Sequence, residues 1–138
     1  MREILFRAKR KDNGEWVYGD LLTPTDFMNV CEISENTGMG DRYEVIPETV
    51  GQYTGLEDKN GKKIFEGDII KTHRSDTYVI KYGEYIPLNY CLSRYYDKNT
   101  IGFYAYDGER CFQLSTNSRC YEVIGNIHDN PELLGEKR

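Results

Sequence analysis

Four cysteines, two histidines and several closely spaced carboxylates are the side chains of this 138-residue chain with the chemistry for catalysis or metal binding. Cys31, Cys91, Cys111 and Cys120 are separated by 60, 20 and 9 residues. No C-x-x-C pair and no H-x-x-x-H partner accompanies them, so the spacing supports no zinc site. Free thiols, some of them packed in a core, account for the pattern, and nothing demands the two disulfides an even count would permit. His73 and His128 lie in polar stretches outside any H-E-x-x-H or nucleophile-elbow pattern, and both are expected in exposed loops. Gly38-Met39-Gly40 lacks the third glycine and the strand-to-helix setting of a phosphate cradle. Glu57-Asp58, Glu66/Asp68 and Asp107/Glu109 have the spacing for general acid and base work. With 23 acids in the chain, however, such neighbours arise by number alone. A hydrolase-type carboxylate site is therefore the weakest of three readings, and no catalytic, cofactor-binding or metal residue is assigned.

Binding chemistry has more material. Arg7, Lys9, Arg10 and Lys11 form a compact basic run that could meet phosphate. Eight of the twelve tyrosines fall between residues 78 and 106, and adjacent Tyr95 and Tyr96 must face opposite ways if they lie in a strand. At least one of that pair is then outside the core, where Tyr favours protein contact or base stacking. Charge weighs against nucleic acid. Residues 1–70 hold 9 basic and 14 acidic groups, net -5, and residues 71–138 hold 9 of each. A solvated basic strand edge that discourages unwanted pairing is the simpler account of residues 7–11.

Short strands must position these groups. Ile4 to Arg10 alternates, with Ile4, Phe6 and Ala8 on one face and Leu5, Arg7 and Lys9 on the other. Asn13-Gly14 suits a tight hairpin turn, and Trp16 to Leu22 reads as the returning strand. A strand over 27–33 and an exposed loop over 34–42 follow, which places the candidate boundary between a 1–42 region and a 43–138 region of one compact domain. Asn60-Gly61 marks a second turn. Gly67-Asp68 opens the strand Ile69-Ile70-Lys71, with Gly67 free to adopt a positive φ and the Asp68 carboxylate placed to accept backbone N–H groups. Further strands are expected over 78–82, 89–96, 101–106, 110–114 and 120–127, with Gly125 in the last. Asp129 or Asn130 can cap a short helical turn that begins at Pro131. The pattern predicts a mainly β protein of short antiparallel strands.

The remaining composition is that of an ordinary folded domain, with net charge -5, 38% hydrophobic and 30% charged residues. No apolar run approaches the roughly 18 residues of a spanning helix. The basic residues of the N-terminus lie among and after its apolar stretch rather than before it, so no signal peptide and no membrane association is expected.

Two long blocks carry a family resemblance. Val50 to Ile70 reads VGQYTGLEDKNGKKIFEGDII, and Tyr121 to Leu134 reads YEVIGNIHDNPELL. With Ile4 to Ala8 and Trp16 to Gly19 ahead of them, they make the chain resemble the YopX-like proteins of bacteriophages and prophages. The resemblance implies an SH3-like barrel in the C-terminal part and a phage or prophage gene product in a bacterial cytoplasm. It implies no activity and no site residues. The expected function is a non-catalytic accessory β domain, a homo-oligomer or a binder of phage or host protein, without cofactor. The alternative is a single-stranded nucleic-acid module using residues 7–11 and exposed tyrosines. Asn60, Gly61, Gly67, Asp68, Gly125 and Pro131 have turn-forming roles in this reading.

Overall fold

The computed structural model describes residues 3–23, 30–35, 41–85, 100–108, 111–114 and 120–134. The expected strand over 89–96, the candidate contact residues Tyr95 and Tyr96, and most of the 34–42 loop lie outside them. The described chain is mainly β, with antiparallel pairing throughout and helix only as short 3-10 turns. It divides into two compact units, Met1–Gly55 and Leu56–Arg138. The division falls later than residue 42 because the segment after it belongs to the first sheet. Arg42–Glu44 pairs with Glu32–Ser34, and Gly51 and Gln52 pair with Arg7 and Phe6.

The first unit contains β1 (Phe6–Lys9), β2 (Trp16–Leu22), β3 (Glu32–Ser34), β4 (Arg42–Glu44) and β5 (Gly51–Glu57), the last running past the division. They lie in the order β4-β3-β2-β1-β5. The β1–β2 turn includes the Asn-Gly pair, but it is a longer connection closed from Arg10 to Glu15, and of the pair only the glycine takes a positive φ. Gly14 has φ 74°, and the Glu15 N–H donates to Asn13 Oδ1 at 2.9 Å. Beyond β4 the chain returns to the end of β1, where Lys11 N–H donates to Glu44 O and Ile46 N–H to Lys9 O, both at 2.9 Å. This curls the sheet around Ala8, Val17, Cys31, Ile33 and Val45, a core supplied by alternate residues of each strand. Gly19 permits the curl. A Cβ there would run into the backbone carbonyl of Ser34, and its φ of 158° is closed to most side chains.

In the second unit β6 (Lys63–Phe65) precedes a sheet of β7 (Asp68–Lys71), β8 (Thr77–Tyr85), β9 (Thr100–Tyr106), β10 (Cys111–Gln113) and β11 (Glu122–Asn126). The order is β10-β9-β8-β7-β11, a four-strand meander whose fifth strand returns beside the first. Ile69 and Ile70 point to opposite faces, yet both are fully buried. Ile70 joins Ile64, Tyr78, Ile80, Ala105, Leu114 and Tyr121 on one side, while Ile69 packs with Val79 and Leu134 on the other.

Two buried carboxylates hold the turns. Asp68 is 1% exposed and accepts the Phe65 N–H at 2.8 Å across the Gly67 turn, where φ is 93°. Asp58 is 4% exposed. Its Oδ1 accepts the N–H groups of Asn60 and Lys62 at 2.8 and 2.9 Å, closing the turn in which Gly61 has φ 81°. Its Oδ2 accepts the Val123 N–H of β11 at 2.9 Å. Burial alone would raise the Asp58 pKa, but these three donors hold it below the ordinary carboxylate value. At the far end Pro131 begins a 3-10 turn, Pro131–Leu133, and the Asn130 side chain folds back over Gly125 to accept the Asn126 N–H at 3.3 Å.

Candidate functional site

The basic run at residues 7–11 is not the solvated strand edge its sequence suggests: β1 lies between β2 and β5, paired on both sides, and its cations are largely matched. Arg7 is 5% exposed, with its guanidinium carbon 4.7 Å from the centre of the Trp16 ring; Lys9 Nζ approaches the same ring at 5.6 Å. Trp16 stands opposite Lys9 in the β1–β2 register, which is why one indole serves both cations. Arg10 lies 4.2 Å over the Tyr43 ring and makes two hydrogen bonds to Asp12, at 2.6 and 3.0 Å. That pairing raises the Arg10 pKa and lowers that of Asp12. Lys11 Nζ sits 3.1 Å from Glu44 Oε2. The return of the chain to β1 brings Tyr43 and Glu44 here, so the pairing is a product of the fold.

Arg10, Lys11, Asp12, Tyr43 and Glu44, together with Arg42, line an open groove of about 540 Å³. Arg42 was not singled out from the sequence, since an isolated Arg between acids carries no pattern. Within the groove Arg10, Lys11 and Arg42 face Asp12 and Glu44, and Glu35 and Asp41 act on Tyr43 from beside it. Burial, followed by those two acids, raises the Tyr43 pKa. The groove is therefore a mixed-charge surface rather than a row of free cations.

The tyrosine-rich part of the sequence forms a long β8–β9 ribbon, in register from Val79 opposite Tyr106 to Tyr85 opposite Thr100. One face begins in the core with Tyr78, Ile80 and Ala105 and continues outward through Tyr82 and Phe103 to Glu84 and Ile101. Tyr82 and Phe103 meet edge to face at 4.9 Å. Tyr82 is nevertheless 55% exposed and Ile101 70% exposed. The opposite face is occupied within the unit: Tyr85 stacks on Tyr104 at 4.5 Å, and Lys81 lies 4.8 Å over Tyr106. The apolar stripe Tyr82–Phe103–Ile101 is thus the outer end of a core face, continued beyond the residues that cover it. Its sequence signal was the alternation from Tyr78 onward, which predicts the shared face but not where cover ends.

Some of the groups considered for catalysis have structural roles. Asp58 and Asp68 anchor turns, and burial pushes the Cys31 and Cys111 thiols up, away from the reactive thiolate. Cys91 and Glu109 lie outside the described residues. Among the described residues no three His, Cys, Asp or Glu side chains stand together as a metal site, and no helix is long and apolar enough to cross a membrane.

Comparison with known proteins places the chain. A family model described as YopX protein matches residues 5–135. The chain belongs to the YopX family. No curated protein matches it in sequence. Among solved structures it is similar to the crystal structure of protein EF1440 from Enterococcus faecalis, with 25% identity and a TM-score of 0.56 over 97% of this chain and 99% of that one. For this YopX family member the match spans both units, so the paired β1–β5 sheet and the β7–β11 meander both fall within the family's extent.

Proposed function

We propose that this YopX family member is a non-catalytic β domain that works by protein contact, and that a second copy of the chain occupies the outer β8–β9 face. The observation that carries the reading is the apolar stripe Tyr82–Phe103–Ile101, in which Tyr82 and Ile101 are exposed beside the half-buried Phe103 at the end of a face that is core elsewhere. Such a stripe is complementary to itself. A two-fold pairing sets the aromatic end of one copy against the isoleucine end of the other, and removes all three side chains from water. The strand order of the second unit, with the last strand beside the first of a four-strand meander, supports an SH3-like barrel. Membership of the family supports a phage or prophage accessory role in a bacterial cytoplasm.

Size-exclusion chromatography with light scattering tests the contact. A dimer or larger species is expected, with Ile101→Asp and Tyr82→Ser each shifting it towards monomer by about tenfold or more in dissociation constant. Both side chains are exposed, so neither change threatens the fold. A strictly monomeric chain at high concentration, or self-association indifferent to both substitutions, would defeat the proposal.

A further inference from the structure

The second unit holds a pocket of about 470 Å³ whose charges are arranged unlike those at the end of β1, and its reading is independent of the proposed protein contact. Lys59, Lys71, His73, Ser75 and Cys120 line it, together with Thr72 and one carboxylate, Glu122. Lys59 is placed by the Asp58 turn. Its N–H donates to Tyr121 O at 3.0 Å while Asp58 Oδ2 takes the Val123 N–H, so the turn is tied to β11 on both sides of Glu122. Lys59 Nζ then lies 3.6 Å from Glu122 Oε1, and Lys71 stands directly opposite Glu122 in the β7–β11 register. Lys59 is thus paired with the one carboxylate of the pocket, and Lys71 and the exposed His73 line the same pocket.

The β7–β8 turn supplies neutral donors. Thr72 N–H bonds to Asp76 O, and Ser75 N–H to Thr72 O, both at 2.9 Å. Ser75 takes φ 67°, the left-handed region that usually falls to Gly or Asn and costs a serine on the order of 1 kcal/mol. Ser75 lines the pocket wall. The Thr72 hydroxyl oxygen already accepts the Arg74 N–H at 3.2 Å, which leaves its proton to be donated.

We propose that this pocket binds a small phosphorylated molecule by its phosphate groups, with Lys59 and Lys71 as the charged contacts and Ser75 and Thr72 as hydroxyl donors. Two cationic points and two hydroxyls around one cavity match an anion of several oxygens and more than one charge better than a single carboxylate. The volume suits a small molecule rather than a bare ion. Glu122 opposes the ligand, and its pairing with Lys59 gives way when phosphate enters.

Calorimetry with pyrophosphate at low salt tests this. Binding is expected, weakened about tenfold by Lys71→Ala or Lys59→Ala, strengthened about threefold by Glu122→Gln, and unchanged by Lys81→Ala, which lies over Tyr106. Lys71→Gln keeps the aliphatic stem and should lose affinity as the alanine does, which separates charge from packing. Residue-resolved alkylation gives a second readout, with pyrophosphate slowing modification of Cys120 but not of Cys111. Absence of both heat and protection, or binding that survives Lys59→Ala with Lys71→Ala, would overturn the proposal. Sulfate binding as tightly as pyrophosphate would reduce it to a general anion contact. A short single-stranded oligonucleotide that displaced pyrophosphate would replace the small-molecule class with a nucleic-acid backbone.

Discussion

At the end of β1, Arg10 has Asp12 and the Tyr43 ring, and Lys11 has Glu44. Beside β7, Lys59 has Glu122, and Lys71 stands opposite that residue in the β7–β11 register. The first cluster is the denser run of basic residues in sequence, yet it is the better neutralised in space. The second is spread over 59, 71 and 73 and is invisible as a motif. A row of basic residues becomes a positive surface only if the strands folded against it bring no acids. In the first unit the returning chain brings Glu44; in the second the strand opposite Lys71 brings one acid for two lysines.

The largest test of that contrast is Asp58, whose three backbone hydrogen bonds set the turn carrying Lys59. Asp58→Ala should cost on the order of 3 kcal/mol in denaturant unfolding and abolish pyrophosphate binding along with it. Asp58→Asn should do nearly as badly, because its amide NH₂ must face the N–H of either Val123 or the 60–62 turn. The carboxylate also predicts an acid limb. Its folded pKa lies below the unfolded value, so its contribution is complete above roughly pH 4 and is lost as the pH falls through the folded pKa. The wild-type chain should lose stability over that range, and Asp58→Asn should flatten the slope.

Gly19→Ala probes the curl that brings Glu44 to Lys11. The added methyl meets the Ser34 carbonyl, and the cost should be about 2–3 kcal/mol by thermal or denaturant melts. A neutral result would mean that the β2–β3 approach is looser than described. The smallest effect on stability is expected from Asp12→Asn combined with Glu44→Gln. The melting temperature should barely move, because both pairs are exposed. The groove should instead gain binding to a single-stranded oligonucleotide at low salt, read by fluorescence anisotropy and lost as salt rises. Binding of equal strength by the unaltered chain would show that the acids do not neutralise the groove.

Local structure was legible where a few adjacent residues determine it. The Asn13-Gly14 and Asn60-Gly61 turns, the Gly67-Asp68 step and the Pro131 turn each depend on φ preferences or a short-range hydrogen bond, and all form; the outward face expected of β1 does not, since Arg7 is buried as Ala8 is. The limits of the first unit were less legible. Nothing local to Tyr43 or Gly51 says that their partners are β3 and β1.

What the sequence by itself determined is thus a β protein of short antiparallel strands, its turns and its place in the YopX family. Tertiary structure alone decided which charges meet: that Arg7 lies under Trp16, that Lys11 finds Glu44, that Asp58 reaches Val123, and that Lys59, Lys71 and His73 line one pocket. The physical reason is range. Backbone preference acts over a few residues, whereas ion pairs, ring contacts and cavities depend on strand register, which joins residues dozens of positions apart.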